Sequence, residues 1–322
     1  MRKALLVGIN DYPRSPLKGC INDVNAVEHA IAKNGDESIN FSVKKKFNVQ
    51  TKAELRLAID ECFAGDADIA LFYYSGHGYL DSIGGYIVTP DFSNGDYGVS
   101  MQDLLSIANQ SKCRNKVIIL DCCFSGNMGN ISTVSQNTAF ISEGVTILTA
   151  SKSDETSAEV NGHGVFTSLL VEALNGGAAD LLGNITLGGI YAFIDKSLGP
   201  WDQRPIFKTN VTSFSSIKKV RPPVAIETLR VIHDLFSTPN STYKLDPSYE
   251  PTNTPLETHE VIEPYADKTN TDIFAKIQKL ESVGVVVPDG TPHMYYAAME
   301  SRSCSLTPVG KYYWSLIDKN II

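Results

Sequence analysis

The sequence lacks any apolar run near the ~18 residues that cross a bilayer, so no membrane-spanning helix is expected. Its six cysteines (20, 62, 113, 122, 123 and 304) contain no C-x-x-C, and Cys122 and Cys123 are adjacent. The common zinc and dithiol spacings are therefore missing, and no paired framework is visible. Positive charge is scarce: 28 Lys and Arg against 36 Asp and Glu leave a net −8. That disfavours bulk attraction to DNA or anionic lipid and favours a positively charged substrate segment. Basic residues are also missing locally, with none between Lys116 and Lys152. Met1-Arg2-Lys3 before the apolar Ala4-Leu5-Leu6-Val7-Gly8-Ile9 mimics a secretory leader. The run is too short and stops at Asn10-Asp11, so it reads as a first strand. Unpaired cysteines fit a reducing compartment, and the expected location is cytoplasmic.

What is present suffices for a packed interior: 322 residues, 43% of them hydrophobic and 9% aromatic. At about 100–200 residues per domain, more than one domain is expected. Strands are predicted at 4–9, 69–75, 117–121 and 145–149, with a short one at Tyr86-Ile87-Val88. Between them, Asn22 or Asp23 can cap a helix carrying Val24, Val27 and Ile31. Thr51 and Glu54 form a capping box before Leu55, Ile59 and Phe63, and Ser100 with Asp103 opens a third helix. A helix at 165–175 ends at Gly176-Gly177. Apolar runs alternating with helices argue for an α/β fold, a mostly parallel sheet with helices on both faces.

After residue 207 the pattern weakens. Lys218-Lys219-Val220-Arg221-Pro222-Pro223 reads as an exposed hinge, giving domains at 1–220 and 221–322. In the tail a helix is expected at 226–236 and a loop at 237–257. Thr271 then caps a helix, a hairpin joins Val285-Val286-Val287 to Met294-Tyr295-Tyr296-Ala297, and Thr307-Pro308 opens a last helix. Helix, hairpin, helix is a winged-helix-like α+β outline. The tail from 224 carries eight Lys and Arg against thirteen Asp and Glu, a net −5. A DNA-binding face is basic, so a regulatory or protein-interaction module is the better expectation. Tyr295, Tyr296, Tyr312 and Tyr313 would suit an interface if exposed, or fill a small core if not.

Two segments carry the chemistry: Tyr73-Tyr74-Ser75-Gly76-His77-Gly78 and Asp121-Cys122-Cys123-Phe124-Ser125-Gly126, each following a strand-like run. A parallel α/β sheet puts its site at such strand ends. A cysteine and a histidine delivered there by separate strands suggest a thiolate nucleophile with an acid/base partner. Glycine flanks His77 on both sides; His163 in Gly162-His163-Gly164 is the rival. The bland alternative for the cysteines is burial as small apolar groups.

These segments resemble the caspase-fold cysteine peptidases, and the metacaspases and their bacterial relatives more than true caspases. Gly19-Cys20-Ile21-Asn22-Asp23 and Gly164-Val165-Phe166-Thr167 agree as well, and the likeness covers about the first two thirds of the chain. His77 precedes Cys123 by 46 residues, against about 50 in caspases. The resemblance implies a cysteine endopeptidase with Cys123, rather than Cys122, as nucleophile and His77 as acid/base, with His163 away from the pair. It also implies an oxyanion hole from the N–H groups of Gly78 and Cys123. Roles in regulated proteolysis, including stress or defence pathways, go with it. The alternative is a catalytically silent pseudo-peptidase scaffold acting through its tail.

Specificity follows from the same resemblance. Where true caspases carry Gln two residues before the nucleophile, this chain has Asp121. The acidic specificity pocket of metacaspases is matched by Cys20, Asp23, Ser75 and Asp121. Two carboxylates in one pocket favour a substrate with Lys or Arg before the cut. Against this stand Asp23 as a mere helix cap and Asp121 as a buried structural carboxylate. Calcium-activated metacaspases carry several acidic residues after the catalytic histidine; here Leu80-Asp81-Ser82-Ile83-Gly84-Gly85-Tyr86 offers one, with Asp91 and Asp96 further on. No metal or other cofactor is therefore expected. Phe124 stands where many metacaspases have His. If cleavage follows basic residues, the polar loop 126–143 cannot be cut by the enzyme itself. That leaves Lys152, or Lys218, Lys219 and Arg221, as self-cleavage sites, or an enzyme that stays a single chain.

Overall fold

The computed structural model describes residues 1–81, 84–93, 95–122, 141–150, 164–199, 204–212, 215–255 and 261–322. They fall into two compact units, Met1–Arg221 and Pro222–Ile322.

Six strands make the central sheet of the first unit: β1 (Arg2–Gly8), β2 (Ser42–Phe47), β3 (Ile69–Ser75), β7 (Asn115–Asp121), β8 (Val145–Thr149) and β10 (Ile206–Asn210). Their order is β10-β8-β7-β3-β1-β2, parallel except for β10, which runs antiparallel to β8. Every residue of β3 and β8 is buried, as expected for a strand covered on both faces. Side-chain alternation sends Ala70, Phe72 and Tyr74 of β3 into one core and Ile69, Leu71 and Tyr73 into the other. Helices α2 (Lys52–Phe63) and α3 (Met101–Gln110) close the first face with Leu55, Ile59, Leu104 and Leu105. Helices α1 (Cys20–Ile31), α4 (Val165–Glu172) and α5 (Leu187–Ser197) close the second with Val24, Val27, Phe166, Leu170 and Ile190. A small antiparallel sheet, β4 (Gly78–Leu80), β5 (Gly85–Ser93) and β6 (Asp96–Ser100), follows β3 directly, and β9 (Asn184–Thr186) pairs with β11 (Ser216–Lys219).

The local start signals act as read for two helices. Thr51 accepts the Glu54 N–H and Ser100 the Asp103 N–H. The first helix differs. It starts at Cys20, ahead of Asn22 and Asp23, and its Cys20 N–H is taken by the side chain of Asn10 from the preceding loop. Asp23 lies buried inside the first turn rather than capping it. The 218–221 segment differs too. Lys218 is 8% exposed in β11, and the backbone of Lys219 is held by the Asn34 side chain and by the Gly35 N–H. Lys218 and Lys219 thus lie in a strand bonded on both sides and make poor self-cleavage sites, whereas Arg221 follows outside the strand, exposed, where the two units divide.

In the second unit, α6 (Ile226–Leu235), α7 (Lys268–Ser282) and α9 (Pro308–Asp318) accompany a three-stranded antiparallel sheet. Its strands are β12 (Thr242–Lys244), β13 (Val286–Pro288) and β14 (Ser303–Leu306), in the order β12-β14-β13. The expected hairpin pairs differently: Met294–Met299 is helix α8, and the partner of β13 is β14. Asp267, not Thr271, caps α7, accepting the N–H groups of Thr269 and Asn270. Tyr313 is buried, whereas Tyr295, Tyr296 and Tyr312 are exposed. Asn253, fully buried, holds the loop before α7. Its amide donates to the carbonyls of Pro247, Ile262 and Pro264, and its Oδ1 accepts the Ile262 N–H. Asn253→Ala strands those groups in the interior and should lower the stability of this unit by about 2–4 kcal/mol, read from denaturant unfolding of the intact chain.

Candidate active site

Strands β3 and β7 are neighbours in parallel register, so Ser75 sits opposite Asp121, and both end at the same edge of the sheet. The Gly76 N–H reaches back to the Asp121 carbonyl at 3.4 Å. His77 therefore leaves the sheet beside the segment that carries the cysteine pair. Cys122 is buried; Cys123 lies outside the described residues, as do His163 and Lys152.

His77 is half-buried and gripped from several sides. Its ring nitrogen Nε2 lies 2.7 Å from the Ser15 carbonyl oxygen. A carbonyl only accepts, so Nε2 carries the proton of the neutral ring and Nδ1 keeps its lone pair. The His77 backbone N–H donates to the Tyr12 hydroxyl at 3.1 Å, and the Tyr74 hydroxyl donates to the His77 carbonyl at 2.9 Å. The two tyrosine oxygens are 2.9 Å apart, and the Tyr12 ring lies 4.5 Å from the imidazole, centre to centre. Tyr12 and Ser15 belong to the loop 9–19. That loop is tied down by Asn48, whose side chain accepts the N–H groups of Asn10 and Asp11 and donates to Asp11. A side chain at Gly76 would collide with the Tyr74 hydroxyl and come within 2.7 Å of the Tyr12 hydroxyl, so the approach of the pair requires glycine there. Gly78 follows as the first residue of β4, half-buried and opposite Ile87 of β5.

A second cluster lies on the other face of β3. Asp23 and Asp121 are 3% and 4% exposed. One oxygen of Asp23 accepts the Ser75 hydroxyl at 2.9 Å and the other the Gly164 N–H at 3.3 Å. Oδ2 of Asp121 accepts the Thr167 hydroxyl at 2.6 Å. Because that proton is spent on the carboxylate, the Tyr73 hydroxyl, 2.6 Å from Thr167 Oγ1, is the donor in its own contact. Both carboxyls converge on Gly164, where a Cβ would lie 2.7 Å from Asp121 Oδ2. Burial first, then the two nearby carboxylates, push the Tyr73 hydroxyl well above its usual pKa. The structure thus brings Asp23, Ser75 and Asp121 together. Cys20, one turn before Asp23, is buried at the start of α1, and its thiol adds a small upward push to the Tyr12 and Tyr74 phenols behind the larger effect of burial.

Tyr12, Ser15, Tyr73, Gly164 and Thr167 were not singled out by sequence reasoning as parts of the site. Tyr73 and Tyr74 directly precede the Ser-Gly-His-Gly segment, and Gly164 and Thr167 fall in the 164–167 segment that carried part of the resemblance; Tyr12 and Ser15, from the loop 9–19, had no such signal. Of the acidic residues weighed for calcium, Asp91 accepts the Lys52 N–H and the Thr89 hydroxyl, Asp96 pairs with the Lys52 ammonium, and Asp81 accepts the Gly84 N–H.

Cys62 and Cys304 are buried, and burial pushes each thiol up to about 12. At pH 8 only about one in ten thousand such thiols is a thiolate, so neither should react. Iodoacetamide on the folded Cys123→Ala protein should leave both unmodified by mass spectrometry, and both should react after denaturation.

A family model described as the caspase domain matches residues 1–216. Metacaspase-9 of Arabidopsis thaliana is 41% identical over 88 residues, 24% of this chain and 27% of that protein, so the match spans about a quarter of the relative's length. Among solved structures, protein GSU0716 of Geobacter sulfurreducens aligns over 69% of this chain and 98% of its own, with 18% identity and a TM-score of 0.49. Caspase-1 of Spodoptera frugiperda aligns over 68% and 91%, with 15% identity and a TM-score of 0.49.

Proposed function

The chain belongs to the caspase-domain peptidase family, and from that premise we propose that it is a cysteine endopeptidase that cuts proteins after Lys or Arg. The observation that carries the specificity is the convergence of Asp23 and Asp121, both buried, on Gly164 at the strand edge that also presents His77. A guanidinium or ammonium entering beside two carboxylates gains charge-assisted hydrogen bonds that an acidic or neutral side chain cannot make.

In this reading Cys123 is the nucleophile. Its thiol proton passes to the free lone pair of His77 Nδ1, the sulfur bonds to the scissile carbonyl carbon, and the carbonyl electron pair moves onto oxygen. The N–H groups of Gly78 and Cys123 receive that oxyanion. When the C–N bond breaks, His77 returns the proton to the departing amine. Water then attacks the thioester and restores the thiol. The Ser15 carbonyl keeps Nε2 protonated, so the ring offers the same face throughout the cycle.

The engagements of Asp91 and Asp96 in capping and pairing α2 support activity without calcium. No helix among the described residues is long and apolar enough to cross a membrane. We place the enzyme in the reducing cytoplasm, in regulated proteolysis of the stress or defence kind. The acidic second unit serves as a regulatory or protein-interaction module rather than a nucleic-acid binder. Self-cleavage at Lys218 or Lys219 is disfavoured by their place in β11. Lys152 and the exposed Arg221 remain the candidates if processing occurs.

The test is hydrolysis of fluorogenic peptides ending in Arg, Lys or Asp, with and without calcium. Cleavage after Arg and Lys should vanish in Cys123→Ala. In Asp121→Asn and Asp23→Asn, kcat/KM should fall about a hundredfold, the scale of losing one buried charge-assisted contact. Cleavage only after Asp would overturn the pocket assignment. No cleavage in any condition would favour a silent scaffold acting through the second unit.

A further inference from the structure

We propose that the consecutive residues Tyr73 and Tyr74 are positioning residues for opposite halves of the site: Tyr74, with Tyr12, for His77, and Tyr73, through Thr167, for Asp121. The inference rests on the roles given above to His77 and Asp121, and it adds a division of labour fixed by one strand.

The division begins with strand alternation. Neighbouring residues of β3 point to opposite faces, and Tyr73 and Tyr74 are buried in different cores. Both are completely shielded from solvent, yet each keeps a hydroxyl where a phenylalanine would pack as well. A buried hydroxyl is retained at a desolvation cost, so what each one bonds is informative.

On the Tyr74 face, two hydroxyl protons serve a cluster of carbonyls. Tyr74 is within 2.9 Å of the His77 oxygen and 3.0 Å of the Val88 oxygen; Tyr12 is within 3.2 Å of the Val88 oxygen. Tyr74 donates to the His77 carbonyl, and Tyr12, whose own proton goes to the Tyr74 oxygen or the Val88 carbonyl, accepts the His77 N–H. The peptide groups on both sides of the His77 Cα are then fixed, and the imidazole is left to turn only about its own side-chain bonds. Ser15 and the Tyr12 ring restrict that turning. Burial raises both phenols above their usual pKa, so they stay protonated donors through the neutral range.

On the Tyr73 face the chain of donors has one direction, Tyr73 to Thr167 to Asp121. Donation by Tyr73 fixes the Thr167 proton on the carboxylate and so fixes the carboxylate's rotation. Glycine stands at the close approach in both halves, Gly76 against the tyrosine pair and Gly164 against Asp121.

The experiment compares Tyr73→Phe, Tyr74→Phe and Tyr12→Phe, each of which removes one oxygen and keeps the ring. On an Arg peptide, Tyr74→Phe and Tyr12→Phe should lower kcat about tenfold with little change in KM. Tyr73→Phe should raise KM about tenfold and reduce the preference for Arg over a neutral side chain. The Tyr12→Phe/Tyr74→Phe double variant should lose less than the product of the single losses, because the two hydroxyls act on one residue. NMR titration of the imidazoles provides a readout independent of turnover: the His77 curve should shift in Tyr74→Phe and stay in place in Tyr73→Phe. Equal effects of the two variants on kcat and KM, or an unmoved His77 titration in Tyr74→Phe, would overturn the proposal. A wild type that cleaves nothing after Arg or Lys would sink the functional reading instead, while the titration would still decide the positioning of His77.

Discussion

Everything at the candidate site depends on the register between β3 and β7. Pairing Ser75 with Asp121 brings the ends of the two strands together and sets the histidine segment next to Asp121, from which the chain runs on to Cys122. A slip of one residue would exchange the two faces of β3, sending Tyr73 toward α2 and Tyr74 toward α1. Complete burial of the strand on both faces makes that slip costly, because each face packs a differently shaped core. The sheet therefore does more than support the loops: it fixes which side chains meet His77 and which meet the Asp23–Asp121 cluster.

The two halves use different physics. Around His77 the protein spends backbone hydrogen bonds and aromatic contact, which hold orientation without adding charge. Around Asp23 and Asp121 it supplies hydroxyl and amide donors, which make two buried carboxyls tolerable close together. The second cluster draws on four elements far apart in sequence: α1, β3, β7 and the start of α4. Both halves meet at β3, so a change in the core beneath that strand reaches both.

Much of the first unit could be read from local pattern, because its signals are local. Thr51 and Ser100 are followed by apolar positions at helical spacing, and strand 145–149 is a short apolar run with turn residues before it. The start of α1 could not be read, since its cap comes from Asn10, ten residues upstream. For the same reason the sequence left Asp23 open as a cap, and the fold puts it inside the first turn instead. In the tail, Met294-Tyr295-Tyr296-Ala297 has strand-like residues but forms a helix. The real partner strand, Ser303–Leu306, is four residues long and half serine. Those serines make sense only in three dimensions, where both donate to Asp289 at the turn after β13. In the site, His77 stood out by its flanking glycines and Asp121 and the 164–167 segment by family resemblance, whereas Tyr12 and Ser15 act from a long loop and leave no mark at their own positions.

The sequence order of these contacts also sets an order of assembly during synthesis. Every group that grips His77 (residues 12, 15 and 74) is made before β7 exists, so the histidine half can close as soon as β1 and β3 pair. The acid half cannot. Asp23 and Ser75 are present early, but Asp121 gains its hydroxyl donor only when Thr167 emerges, and Gly164 arrives with it. A nascent or prematurely ended chain thus has a clasped histidine before it has a finished pocket. Of the two clusters, the one around Asp23 and Asp121 is the later to gain its full set of partners.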